Sequence, residues 1–425
     1  MSIREIFRFS NTEQKIVGTL IFLFPIFFLT IKSWSITISF LLFFIALFFL
    51  VRDRRVFFSN WDKESLLIVF ALAAPFFAEC FAQLGRFQLN GSSLDGPSRF
   101  FVGALLFIYL SRVEFRGRAA LWFSSGSVLA VIVTAFSIFC YRDFFWENLD
   151  GAPRAATYFV DPNTLGCYQV ALFAAALPLI MVASSRAWSR VLLLVVLLFC
   201  TSVVLVLSQS RTSWMALAVL GTIFLYVSEF SNRQRIVFTL ALGLMAILSY
   251  LFLDIIRLRV DLTLRDTIGF FSGNVDTSTG IRIALALVDI ELIKQFPWFG
   301  IQDGILPSYE ELKLAVPSLT PEVYNIKVLA GSHIEVLGHF VRKGVIGGVL
   351  AVFGLFVFPV CYFIYKQRTL TTTQSQFVAV TGILVTIVLL TSSFGIQIFN
   401  LKMTSAFWAV FLAIFFSSSF GKDLG

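Results

Sequence analysis

Charge is what this sequence has least of. Only 14% of its 425 residues are Asp, Glu, Lys or Arg, against roughly 25% in a soluble domain, so the chain has too little polar surface to cover itself in water. Cysteine is sparse as well. Cys80, Cys140, Cys167, Cys200 and Cys361 lie in or beside apolar runs and share no CxxC spacing, so they imply neither a disulfide framework nor a metal site and read as small membrane-packing residues. Histidine occurs only as His333 and His339. That separation is under two helical turns and puts the rings on different faces, which argues against a two-histidine metal site. No Walker loop, GxGxxG, HExxH or GxSxG pattern stands in a suitable context, and there is no soluble nucleotide-binding domain. Any donor used here must arrive already activated.

Apolar residues are what the sequence has in abundance: 58% of the chain is hydrophobic, with 51 phenylalanines. They fall in runs of about 17–22, the length that spans a bilayer core, and most of the phenylalanines lie inside these runs as lipid-facing and interhelical packing. The windows between polar punctuation predict twelve spans, at 16–32, 35–51, 65–84, 99–112, 119–140, 164–184, 190–208, 212–228, 235–253, 337–365, 376–394 and 401–418. The run at 337–365 exceeds what a bilayer needs, so it tilts or begins outside the membrane. The fold class is therefore an all-α polytopic membrane protein of about 12 transmembrane helices. It divides into 1–253 (spans one to nine), 254–336 (a large, partly helical loop) and 337–425 (spans ten to twelve and a tail).

The net charge of +8 does not point to nucleic acid, because the basic residues cluster in the short connections and favour anionic headgroups. With the N-terminus inside, single inner segments hold Arg52, Arg54, Arg55 and Lys63, or Arg112, Arg116 and Arg118. The short outer loops hold no more than two each (Lys32; Arg86 and Arg99; Arg142 and Arg154; Arg211; Lys402). This bias puts both termini in the cytoplasm and the long loop outside. The first run follows Arg4, Arg8 and Lys15 and is long enough to span, so it is expected to stay as an anchor.

Three residues at the outer face can carry chemistry. Arg211, in SQSRTS (208–213), sits in a very short connection between two spans. It either snorkels to headgroups or grips a phosphate oxygen pair. Arg282 opens a helix-like stretch, Ile281 to Phe296, which follows the turn or cap segment DTSTG (276–280) and ends at Pro297. It is either a solvated surface residue or part of an anion site at a helix N-terminus. His333 stands where the loop re-enters the membrane beside Glu335. It is either structural or a general base. Glu79, with Gln83, is buried by sequence in the third span and is either functional or paired with Arg99 or another arginine. Arg342 and Lys343 point to headgroups or to an anionic ligand. Arg154 precedes Asp161-Pro-Asn163, which reads as a turn and helix cap.

Four segments taken together, RAATYFVDPNTLGCY (154–168), LSQSRTSWMAL (207–217), TGIRIALALVDIELIKQFPWFGIQDG (279–304) and SHIEVLGHFVRKGVIGG (332–348), resemble in order and spacing the O-antigen ligase and O-antigen polymerase superfamily. LDGPSRF (94–100) is similar to the N-terminal half of such ligases. The resemblance implies a GT-C-like membrane glycosyltransferase, metal-independent and without a cofactor. Such an enzyme moves a glycan from undecaprenyl diphosphate at the periplasmic face of the bacterial inner membrane. The acceptor is lipid A–core sugar in a ligase and another lipid-linked repeat in a polymerase. The resemblance makes His333, Arg211 and Arg282 catalytic; Arg154, Asn163, Glu335, Arg342, Lys343 and Arg99 are expected to bind substrate. The other partners expected are membrane lipids, with no nucleic acid. Two departures stand out: Ile334 where many members have Asn, and Arg342 before Gly344 where many are acidic. These bear on acceptor contacts more than on the diphosphate site. From another class, a transporter or flippase predicts midplane charges and broken helices.

Overall fold

The computed structural model describes residues 11–57, 61–141, 146–149, 152–183, 187–227, 231–302, 305–399 and 401–420. Each predicted apolar run is a helix. In chain order these are α1 (Thr12–Ile26), α2 (Trp34–Arg52), α3 (Lys63–Gly85), α4 (Gly91–Leu110), α5 (Arg116–Cys140), α6 (Pro162–Ala183), α7 (Ala187–Ser208), α8 (Arg211–Val227) and α9 (Asn232–Phe252). After the loop come α14 (Glu335–Val352), which runs through a π turn at Phe353–Val357 into α15 (Phe358–Thr369), then α16 (Thr373–Ser392) and α17 (Lys402–Ser419). Among the described residues, nine of these helical stretches are long and apolar enough to cross a membrane. The helices α1, with 15 residues, and α8, with 17, are shorter, and α4 begins with the polar text SSLDGPSR.

Local capping explains where the predicted edges move. Asn11 accepts the Gln14 N–H at 2.7 Å and starts α1 four residues before the predicted span. Asn90 accepts the Ser92 N–H at 3.0 Å, so α4 starts eight residues early and LDGPSRF is helical.

Two helices form the centre: the apolar windows of α6 and α17 are each 94% buried. Phe407 on α17 stacks on Phe28 at 4.5 Å between ring centroids and meets Tyr168 of α6 edge-on at 5.5 Å. By contrast α9, with a mean hydropathy of 2.0, has none of its window buried. Bare apolar surface of that extent is stable only against lipid. The structure is thus that of an all-α polytopic membrane protein, with, among the described residues, a short antiparallel hairpin, β1 (Trp146–Leu149) and β2 (Ala152–Ala155), that the apolar pattern does not announce.

The loop is more helical than the sequence suggests. Besides α11 (Ser278–Gln295), capped by Thr277, it holds α10 (Asp254–Phe271), α12 (Tyr309–Ala315) and α13 (Pro321–Ala330). The long tenth run owes its length to a break. Gly344 has φ 68°, and a Cβ there would lie 2.3 Å from the Trp298 carbonyl oxygen, so only glycine fits. The segment after α11 inserts at this point, the Ile301 N–H donating to Val341 O at 2.8 Å and the Val345 N–H to Pro297 O at 2.7 Å. Arg86 fastens the crossing by donating to Phe299 O and Arg342 O, at 2.8 and 2.5 Å.

Candidate functional site

Among the helices that begin at the end of the bundle that the loop covers are α6, α8, α11 and α14. Their free N–H groups and positive dipole ends favour an anion there. The start of α6 is set by Asp161, whose Oδ1 accepts the N–H groups of Asn163 and Thr164 at 2.9 and 3.2 Å, with Pro162 in the first helical position. This is the turn and cap that the sequence predicts.

The turn joining α7 and α8 is braced from three sides. Arg154, delivered by β2 and 8% exposed, donates from Nε to Ser208 O at 2.9 Å and from Nη2 to Asn163 Oδ1 at 3.2 Å. Gln209, at φ 52°, donates to Pro153 O at 3.3 Å and accepts from Arg259 of α10 at 2.8 and 2.5 Å. One helical face of α10 thereby docks on the turn, because Asp266, seven residues on, pairs with Arg211 Nη1 at 3.4 Å. Arg154 and Asn163 in this way hold Arg211 in position.

Arg282, in the second turn of α11, is close enough to Arg211 to feel its charge. Burial first, and then Arg211, holds the Arg282 pKa below its usual value. His333 completes the group. Burial, then Arg282 and Lys327, lower its pKa, and Asp161 opposes them. Residues far apart in sequence, Arg211, Arg282, His333 and Asp161, thus form one electrostatic cluster. His333 lines a cavity of about 460 Å³ with Asp161, Asn163, Thr164, Ser332 and Gln397.

The loop that presents His333 is locked from behind. Asp289, on the inner face of α11, is fully buried and hydrogen-bonded to Lys327 of α13, and Ser332 bridges the two at 2.9 and 2.8 Å. Burial pushes the Asp289 carboxyl up, against the pull of Lys327. Asp289→Ala leaves a buried lysine without its carboxylate, an expected loss of about 3–5 kcal/mol. Thermal unfolding should show the drop, and Lys327→Met added to it should recover a large part. A variant as stable as wild type would show that the lock does not hold the loop.

Other sequence candidates sit elsewhere. Arg99, 8% exposed, pairs with Asp95 at 2.6 Å, stacks on Phe40 at 4.7 Å and lines neither cavity. Glu79 is paired with Gln83, Lys343 and Arg86, and not with Arg99. Glu335 turns away from His333, accepting the Phe399 N–H at 3.2 Å and lying 3.1 Å from His339. With Arg342 and Lys343 it lines a second cavity. Asp266, Arg259, Asp289 and Lys327 are not singled out by sequence reasoning. The carboxylate of Asp289 inside the otherwise apolar face of IRIALALVDIELIKQF is the one available signal.

Apolar helices closed at one end by a loop, over clustered cations and a histidine, define a polytopic membrane protein shaped for an anionic ligand at the membrane edge. Residues 196–352, which include Arg211, Arg282 and His333, match the model of the O-Antigen ligase family, and this match supports the resemblance to the O-antigen ligase and polymerase superfamily. The match supports, in general, O-antigen ligase or polymerase activity, that of a membrane enzyme transferring glycosyl groups in lipopolysaccharide biosynthesis. That family implies, in general, a lipid-linked glycan and a lipid acceptor as partners. No curated protein matches the chain.

Proposed function

We propose that the protein is an O-antigen ligase, moving a glycan from undecaprenyl diphosphate to lipid A–core oligosaccharide at the periplasmic face of the inner membrane, with both termini in the cytoplasm. The observation that carries this reading is the pair Arg211 and Arg282. These are two mutually repelling cations at helix starts beside His333, and their repulsion is relieved by one anion with several oxygens. A diphosphate supplies that anion. In the reaction, the acceptor hydroxyl oxygen attacks the anomeric carbon while the bond from that carbon to the diphosphate breaks. The hydroxyl proton passes to His333, and the two guanidiniums take up the charge of the departing undecaprenyl diphosphate. No step uses a metal, so the rate should be the same in EDTA.

The test is a deletion strain complemented with the gene. In a ligase deletion, lipid-linked polymer accumulates and the core stays bare, and the gene restores capped lipopolysaccharide. Core carrying a single repeat in the deletion strain instead assigns a polymerase. Unchanged glycan profiles would sink both.

A further inference from the structure

The second cavity, about 380 Å³, lies between the loop ends of α3, α4 and α14, within the range of small-molecule sites, about 300–1,000 Å³. Its charged groups form one chain. Arg86, which stands outside the lining, lies 3.9 Å and Lys343 Nζ 3.7 Å from the Glu79 carboxylate. Lys343 Nζ is 3.2 Å from His339 Nδ1, and His339 Nε2 is 3.1 Å from Glu335 Oε1. Arg342 Nη2 lies 3.9 Å from that same oxygen. Each carboxylate therefore already has its cations, and the chain offers little net charge to a phosphate. What it offers is alternating donors and acceptors. His339, only 5% exposed, lines the cavity with an Nε2 that makes no well-aligned hydrogen bond. Asn90, Ser92, Ser93 and Ser405 add neutral polar groups, while Pro97, Phe100 and Phe399 add apolar faces. Hydroxyls around a ring with apolar C–H faces are the chemistry that matches such a lining.

The two cavities are neighbours. Ser332 and Gln397 of the first and Arg342 of the second all converge on Gly338, within 3.3–3.5 Å of where a Cβ would stand. His333 and Glu335, one on each side, are two residues apart.

We propose that this second cavity binds the sugar rings of the acceptor glycolipid, so that an acceptor lying across Gly338 presents its hydroxyl to His333. The inference rests on the glycosyl-transfer reading above.

Its test uses the full-length protein in lipid nanodiscs, with lipid-linked glycan as donor and lipid A bearing core sugars without repeats as acceptor. Ser93→Trp fills the cavity from α4, and His339→Gln keeps a neutral polar group while removing the ring. Both should raise the acceptor KM roughly tenfold, the effect of one or two lost hydrogen bonds, and leave the donor KM unchanged. A raised donor KM, or an unchanged acceptor KM in both variants, overturns the inference and leaves glycosyl transfer standing. If the wild type transfers nothing, the functional reading fails. The cavity is then judged by saturation-transfer NMR with delipidated core oligosaccharide: signal lost in Ser93→Trp supports it, and equal signals overturn it.

Discussion

Arg211→Ala should lower kcat/KM for glycan transfer by roughly 10²–10³-fold or more, with the protein still folded and inserted. The size of the effect follows from what the residue leaves behind. Arg211 lies 3.4 Å from Asp266, and without the guanidinium that carboxylate faces the departing diphosphate as an uncompensated negative charge. The loss thus combines a missing cation with a new repulsion. Arg211→Lys should recover only part of it, because an ammonium keeps the charge but not the planar fork that grips two oxygens at once. Asp266→Asn added to Arg211→Ala should return part of the rate by removing the repulsion. The measurement is initial rate against donor concentration, with helix content as the check on folding. Wild-type kinetics in a folded Arg211→Ala protein would remove Arg211 from the site.

His333→Ala should reduce kcat by roughly 10²–10⁴-fold, the range for losing a positioned general base, with the donor KM little changed because the arginines still hold the diphosphate. Its pH dependence has a definite sign. A base works deprotonated, and burial together with Arg282 and Lys327 moves the His333 pKa below the ordinary 6.5. The neutral ring then predominates at pH 7, so the rate should be flat through neutrality and fall only on the acid side, with its midpoint below 6.5. Arg282 is one of the groups that disfavour the imidazolium. Arg282→Gln should therefore shift the acid limb toward higher pH as it lowers the maximum rate. A profile that instead falls as pH rises through neutrality would mean that the ring acts protonated, as an acid.

The membrane class and the helix positions were readable from sequence because a bilayer imposes a length and an apolar composition on each span, and both are local. The same locality made the Asp161 and Thr277 caps readable. Arg211, Arg282 and His333 were readable one at a time, each at a membrane edge or a helix start, and as an ordered set through the family resemblance. Their grouping into one electrostatic cluster was not, since mutual repulsion depends on a distance between chain segments more than fifty residues apart.

The tertiary structure also supplied partners that the sequence leaves open. Arg154 and Asn163 brace the turn that carries Arg211, Arg99 and Lys402 share Asp95, and Glu335 lines the second cavity. Nothing in a charged residue's immediate neighbours says which opposite charge will meet it. The break at Gly344 has the same origin, for a glycine inside an apolar run reads as helix until the 297–301 segment crosses it and requires a positive φ. Sequence by itself determined what must lie in lipid and where the helices start, because solvation and capping act within a few residues. Only the tertiary structure decided which charges share a cavity, because pairing in a low-dielectric interior depends on distances of a few ångströms between segments remote in the chain.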